Sequence, residues 1–220
     1  MNVLIFGATG MVGQGVLREC LLDPGVTRVM TIGRRSTGNT NAKLREVVQS
    51  DLTDLAPLAS ELATIDACFF CLGTTSLGKS EAEYTRVSYD LTMAIAQQLV
   101  RANPAMTFIY VSGASTDSTE KGSMMWARVK GRTENALLRS GFRAAYMFRP
   151  GAILPLHGIR SSTPLYNTLY SIARPLVPFL RRLSPQSFTT TEQVGRAMIA
   201  VARNGYATPI LEMRDITSFK

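Results

Sequence analysis

Val3-Leu4-Ile5-Phe6-Gly7-Ala8-Thr9-Gly10-Met11-Val12-Gly13 opens the chain. Four apolar residues in a row, two of them β-branched, read as a strand buried on both faces. The glycines that follow are spaced G-x-x-G-x-x-G, and Val12, Val16, Leu17 and Leu21 then recur at helical intervals. Strand, glycine turn and helix in that order build a receptor for an anion. The first N–H groups of the helix lack intrahelical acceptors, and the peptide dipoles present their positive end there. Glycine permits both the tight turn and the close approach of a phosphate to bare backbone. The run therefore predicts a dinucleotide's pyrophosphate over Gly7, Thr9, Gly10, Met11, Val12 and Gly13. An ordinary turn does not require three glycines at this spacing.

Outward from that motif, strand-like runs near 2–7, 27–33, 46–49, 66–72, 106–112, 143–148 and 208–212 alternate with helical patterns. This rhythm predicts βαβ units in an α/β fold: one domain spanning 1–220, a doubly wound parallel Rossmann sheet with a small C-terminal appendage on the substrate side. Asp23-Pro24-Gly25 stops the first helix. Ser80-Glu81-Ala82-Glu83 is a capping box that starts a long helix reaching about Ala102. A further helix is predicted from about Ser123 to Ser140, with Gly141 as its C′ residue. Thr190-Thr191-Glu192-Gln193 caps the last one. Residues 151–189 break the rhythm with Pro155, Pro164, Pro175, Pro178 and Pro185, and read as an irregular or helical, lid-like insertion.

Composition narrows the class. Hydrophobic residues make up 45% of 220, enough for a full core. The first strand begins too early for a targeting leader, and no apolar run reaches the ~18–20 residues of a membrane span. Three cysteines do not suggest a disulfide framework. These features predict a protein of the cytosol, or of the cytosolic face of a membrane. Cys68 and Cys71 form a C-x-x-C on a strand, where i and i+3 point to opposite faces, so they are expected to pack in the core and not to bind metal; no metal site is predicted. Charge is lopsided. Residues 1–120 hold 9 Lys/Arg and 12 Asp/Glu, a balance of −3; residues 121–220 hold 15 and 4, a balance of +11. The basic half suits cofactor phosphates, an acidic substrate or a lipid surface, with nucleic acid not favoured; solubility charge on helix faces explains it equally well. Leu165, Leu169, Ile172, Leu176, Leu180 and Leu183 fall near helical spacing, flanked by Arg174, Arg181 and Arg182. Such a stripe at 164–183 serves a peripheral contact with anionic membrane, a lid on its own domain, or a homodimer contact.

Two further strand ends carry chemistry. The second reads Thr31-Ile32-Gly33-Arg34-Arg35. A carboxylate there binds the adenosine ribose of NAD(H), whereas an arginine accepts a 2′-phosphate, so Arg34 and Arg35 favour NADP(H) over NAD(H). Asp51 and Leu52, after the third strand, are placed beside the adenine. Cys71, Leu72 and Gly73 end the fourth strand, where the backbone is expected to approach the cofactor.

With Val111-Ser112-Gly113-Ala114-Ser115, Val129-Lys130-Gly131 and Arg149-Pro150-Gly151 added, the chain resembles an atypical short-chain dehydrogenase/reductase. The branch is that of the NAD-dependent epimerase/dehydratases, similar to the Tat-interacting oxidoreductase group, and the likeness covers residues 1 to about 151. The resemblance implies that Lys130 binds the nicotinamide ribose, that Pro150 borders the cofactor, and that a strand-five serine orients the substrate oxygen. Ser112 and Ser115 compete for that last role. The family's Y-x-x-x-K tyrosine position holds Trp126, whose indole N–H donates a hydrogen bond but exchanges no proton near neutral pH. His157, the only histidine, stands in a loop that borders the substrate pocket in the family and is a candidate for the missing proton donor; a surface or packing role is the plainer alternative. The implied function is an oxidoreductase acting on a small carbonyl or hydroxyl substrate; the alternative is a non-catalytic NADP(H)-dependent sensor or scaffold.

Overall fold

The protein is described by a computed structural model over residues 1–159 and 188–219. The 164–183 stripe, and most of the 151–189 insertion, lie outside the described residues. The chain runs β1 (Asn2–Phe6), α1 (Met11–Leu22), β2 (Arg28–Gly33), β3 (Leu44–Val48), a 3₁₀ turn (Ala56–Leu58), α2 (Ala59–Leu62) and β4 (Ala67–Phe70). It continues through α3 (Glu81–Thr85), a π-helical turn (Arg86–Asp90), α4 (Leu91–Ala102), β5 (Thr107–Val111), α5 (Met125–Leu138) and β6 (Ala144–Arg149). Then follow β7 (Ala152–Leu154), β8 (Phe188–Thr190), α6 (Thr191–Asn204), β9 (Ile210–Glu212) and α7 (Met213–Thr217). Seven strands form one parallel sheet in the order β3-β2-β1-β4-β5-β6-β9. This is the doubly wound Rossmann arrangement predicted from the sequence.

Side-chain alternation divides the core into two layers. On β1, Val3 and Ile5 face the layer built by Val16, Leu17 and Cys20 of α1 with Val194 and Met198 of α6. Leu4 and Phe6 face Ile95 and Leu99 of α4 and Leu137 of α5. Cys68 belongs to the second layer, whereas Cys71 packs against the first, so the two thiols diverge as their spacing requires. Burial pushes the Cys71 thiol up to about 12.

The sequence patterns miss some features. The helix expected from Ser80 to about Ala102 runs unbroken from its capping box to Ala102, but one turn of it departs from α geometry. The turn at Arg86–Asp90 widens to π, and the Thr133 hydroxyl of α5 donates to the Ser88 carbonyl within it at 3.0 Å. Arg139 caps α5, which places Gly141 (φ +93°) one position beyond the expected C′. Strands β7 and β8 pair in parallel, joining the two described ends of the insertion.

A buried ion network fastens α5 to the sheet. Arg149 Nε lies 3.1 and 3.2 Å from the two carboxylate oxygens of Glu134, and its Nη1 lies 3.0 Å from Glu212 Oε1. Glu134 is fully buried, so the pairing must offset a large desolvation cost. Removing one partner alone would strand a charge in the core.

Gly131 shows how closely α5 is held. A Cβ built there would lie 1.8 Å from the Asp117 carbonyl oxygen, a backbone atom. Alanine is the better helix former by about 1 kcal/mol, but overpacking against backbone costs about 1–3 kcal/mol. Gly131→Ala is therefore expected to lower stability in urea denaturation. Unchanged or raised stability would show that the 117–122 loop yields freely.

Candidate functional site

Strand order reverses between β1 and β4. From β1 the chain winds outward to β2 and β3; from β4 it winds the other way to β5, β6 and β9. Connections leave this point toward opposite faces, opening a crevice beyond the strand ends where ligands of such sheets bind. Gly7 occupies the crevice floor at φ +80°, and a Cβ there would strike Leu72 N at 2.6 Å. At Gly13 a Cβ would lie 2.1 Å from the Gly7 carbonyl oxygen, so helix α1 starts flush against the end of β1 only because both positions are bare. Gly10 donates to the Gly7 carbonyl at 2.9 Å and caps α1 with no side-chain acceptor. The amides of Met11, Val12 and Gly13 come before the first bonded turn, which Gln14 N closes on the Gly10 carbonyl at 2.8 Å. No acidic residue occupies that first turn. Unsatisfied donors, positive dipole and absent carboxylate together suit a pyrophosphate.

A cleft of about 160 Å³ gathers most of the expected cofactor residues. Gly7, Thr9, Gly10, Arg34 and Arg35 line it, as do Leu52, Cys71, Leu72 and Gly73. A Cβ on Gly73 would meet nothing within 4 Å, leaving room for a ligand against bare backbone. Met11, Val12 and Gly13 stand behind the lining as the start of α1. Asp51 is not part of the lining. Its Oδ1 accepts from the Thr53 amide at 2.8 Å and hydroxyl at 2.7 Å, and these bonds hold its carboxyl below the ordinary range. Thr37, which the sequence reading omits, does line the cleft. Among the described residues neither Arg34 nor Arg35 forms an ion pair, and both are exposed. The donor set of this cleft thus fits the pyrophosphate of a dinucleotide, with Arg34 and Arg35 at its β2 side.

Beyond the end of β5 stands the second half of the site. The Lys130 ammonium of α5 donates to the Ser112 carbonyl at 2.7 Å and the Val111 carbonyl at 3.3 Å, and sits 5.5 Å from the Tyr110 ring centroid. Burial lowers its pKa to about 8, opposed by Glu134 one helical turn away. One turn earlier, the Trp126 indole covers the end of β5: its Cζ3 lies 3.9 Å from where a Gly113 Cβ would stand. The Ser112 amide extends the β5–β6 ladder to the Phe148 carbonyl at 2.8 Å, and its Oγ donates to the same carbonyl at 3.0 Å. Ser115 is exposed with φ +67°, and Thr116 is buried with its hydroxyl on the Gly113 carbonyl at 2.7 Å. Pro150 offers its carbonyl to the Ala114 amide at 2.9 Å, fastening the loops after β5 and β6.

His157 lies elsewhere. Its Nε2 is 2.7 Å from Glu192 Oε2 at the start of α6, and Glu192 also pairs with Arg196 at 2.6 Å. The structure therefore ties His157 to the α1/α6 face, while Lys130 and Trp126 belong to α5 on the other. Among the described residues no hydrogen bond joins His157 to either.

Residues 3–122, more than half the chain, match the family described as NAD dependent epimerase/dehydratase. A protein of Emericella nidulans named "Protein fmp52, mitochondrial" is 34% identical over 159 residues, covering 69% of this chain. The match spans 66% of that relative's length, just under two thirds. The Bordetella bronchiseptica enzyme WbmH, solved in complex with NAD⁺, superposes with a TM-score of 0.63 at 20% identity, over 92% of this chain and 72% of that one. A short chain dehydrogenase from Burkholderia cenocepacia, solved with NADP, gives 0.66 at 16% identity, over 99% and 89%. At these identities the superpositions establish the shared fold alone. The relatives' names correct one expectation: the Emericella protein and its counterparts in Aspergillus terreus and Candida albicans are all named mitochondrial, which overturns the cytosolic assignment. Neither three thiols nor an early first strand determines a compartment. The sequence match over the glycine turn and the first five strands, together with the superposed fold, shows that this chain belongs to the NAD dependent epimerase/dehydratase family.

Proposed function

We propose that this chain binds a nicotinamide dinucleotide, NADP(H) in preference to NAD(H), and acts as an oxidoreductase on a small carbonyl or hydroxyl compound. The observation that carries the cofactor reading is the cleft at the β1/β4 switch point, with its bare glycine floor and two arginines free of carboxylate partners among the described residues. Solved neighbours titled as NAD⁺ and NADP complexes support the cofactor class without choosing between the two forms. The relatives' names support a mitochondrial setting.

The cofactor supplies a hydride when bound, and the chain must supply or remove the matching proton. Lys130 of α5, whose ammonium reaches the end of β5, holds the ribose side of the cofactor. Trp126 forms an apolar wall and can donate a hydrogen bond but not a proton. That substitution favours a second reading, a binding protein with little turnover on ordinary carbonyl substrates.

The arginine pair provides the first test. Replacing Arg34 and Arg35 together with Ala is expected to weaken NADPH binding by about one to two decades, the worth of one or two charge-assisted contacts, and NADH binding far less. Titration of both cofactors against both proteins measures it, and equal losses would remove the NADP(H) preference.

Turnover separates the two readings of the site. An oxidoreductase should reduce members of a small-carbonyl panel with NADPH, whereas the binding-protein reading expects NADPH binding with slow reduction by the wild type and a higher rate for Trp126→Tyr, since a positioned acid contributes ~10²–10⁴-fold. Brisk wild-type reduction that survives both Trp126→Tyr and His157→Ala would mean that another group donates the proton.

Lys130 titrates with a defined sign. Below about pH 8 it is charged in both folded and unfolded chains; between about 8 and 10.5 only the unfolded chain keeps the proton. Stability of the wild type relative to Lys130→Met should therefore rise with pH across that window. Urea denaturation of both proteins at pH 7, 9 and 10 measures the difference, and a constant gap would show that the site does not perturb the lysine.

A further inference from the structure

The loop after β2 carries the two arginines, and the hydrogen bonds its own side chains make reach only two residues along it. Gly38 adopts φ +72°, and Asn39 and Asn41 bond only to near neighbours. One side chain from the next strand reaches across. Glu46 of β3 accepts from the Ser36 hydroxyl at 2.6 Å through Oε2 and from the Thr37 amide at 2.7 Å through Oε1. Ser36 Oγ in turn accepts from the Gly38 amide at 3.0 Å. Both oxygens of one carboxylate are thus engaged by the two residues that immediately follow Arg35, and Thr37 itself lines the cleft.

The neighbours of Glu46 explain why it is available. Arg45, pointing to the opposite face of the strand, grips Glu61 with N–O distances of 2.6 and 2.7 Å. Arg34 and Arg35 make no ion pair with Glu46. Partial burial pushes the Glu46 carboxyl up, but the Ser36 and Thr37 bonds outweigh it and hold the group ionised below its ordinary range. The carboxylate therefore anchors the loop and leaves the guanidinium groups uncommitted.

We infer that Glu46 is a positioning residue for cofactor selection: by fixing Ser36 and Thr37 to β3 it sets the Arg34–Arg35 backbone beside the cleft, where a 2′-phosphate is received. The inference rests on the NADP(H) reading above. A carboxylate in this part of a dinucleotide site would ordinarily favour an unphosphorylated ribose and repel a phosphate. Here its hydrogen bonds to the loop give it the opposite effect, because a pre-set pair of arginines loses less freedom on binding.

The test compares NADPH and NADH, and 2′,5′-ADP with 5′-AMP, by equilibrium titration of four proteins: wild type, Glu46→Ala, Glu46→Gln and Ser36→Ala. Glu46→Ala should weaken NADPH and 2′,5′-ADP about tenfold, and NADH and 5′-AMP less than about twofold, the loss of one charge-assisted anchor. Glu46→Gln keeps an acceptor for the Thr37 amide and should retain most of the preference; Ser36→Ala should lose part of it. Thermal melting shows which variants are folded, and Ser36→Ala and Glu46→Gln carry the test if Glu46→Ala is not. A wild type without preference for the 2′-phosphate ligands would overturn the underlying NADP(H) reading. A wild type with that preference, unaltered in folded variants, would overturn the role of Glu46 alone. Tighter NADPH binding by Glu46→Gln would overturn it too, and would mark the carboxylate as a repulsive element.

Discussion

Backbone meets backbone where the Gly13 Cα rests against the Gly7 carbonyl. A single added methyl carbon at Gly13 would stand 2.1 Å from that oxygen. Because neither residue carries a side chain, α1 begins flush with the end of β1 and its unbonded amides open into the crevice. The same closeness lets Val16 and Leu17 settle on the α6 side of the sheet, opposite Leu4 and Phe6. Position of helix, geometry of the anion site and packing of one core layer all follow from one contact.

The two ends of the crevice are built differently. At one end, Arg34 and Arg35 sit on a loop that Glu46 of the next strand holds by two hydrogen bonds. At the other end, Lys130 directs its proton donors at the carbonyls of Val111 and Ser112, and Trp126 closes over Gly113. Behind Lys130 lies the Arg149–Glu134–Glu212 network. It fixes α5 against β6 and β9, and so fixes the helix that carries Trp126 and Lys130. Glu134 also opposes the loss of the Lys130 proton, so the same buried carboxylate that secures the helix tunes the lysine. Binding geometry is thus more completely built into this chain than proton transfer is.

Much of this was legible in the residues alone. Apolar runs specified β1, β2, β4 and β5, because a strand buried on both faces has no alternative but continuous hydrophobicity; the half-buried edge strand β3 shows only its Val47-Val48 end beside the charged Arg45 and Glu46. The glycine spacing specified the turn by which α1 starts flush on β1, since only bare backbone tolerates that approach. Alternation along β4 and the residue after it puts Cys68 and Cys71 on opposite faces. Local chemistry of this kind acts over a few residues, so a pattern of a few residues reports it.

Tertiary structure decided what depends on partners distant in the chain. Asp51 is the local exception: its carboxylate turns to Thr53, only two residues on, which offers two donors. His157 pairs with Glu192, 35 positions on, which no spacing announces. The anchor from Glu46 to Ser36 and Thr37, and the ion pairs from Arg149 to Glu134 and Glu212, join separate strands and helices, and so exist only once the sheet has set its order and register. The residues by themselves determined the layers, the turn and the kind of ligand. The fold determined which of the charged side chains would face that ligand and which would be held by one another, because a charge in a folded protein goes to whichever partner lowers its desolvation cost, and that partner is chosen by geometry.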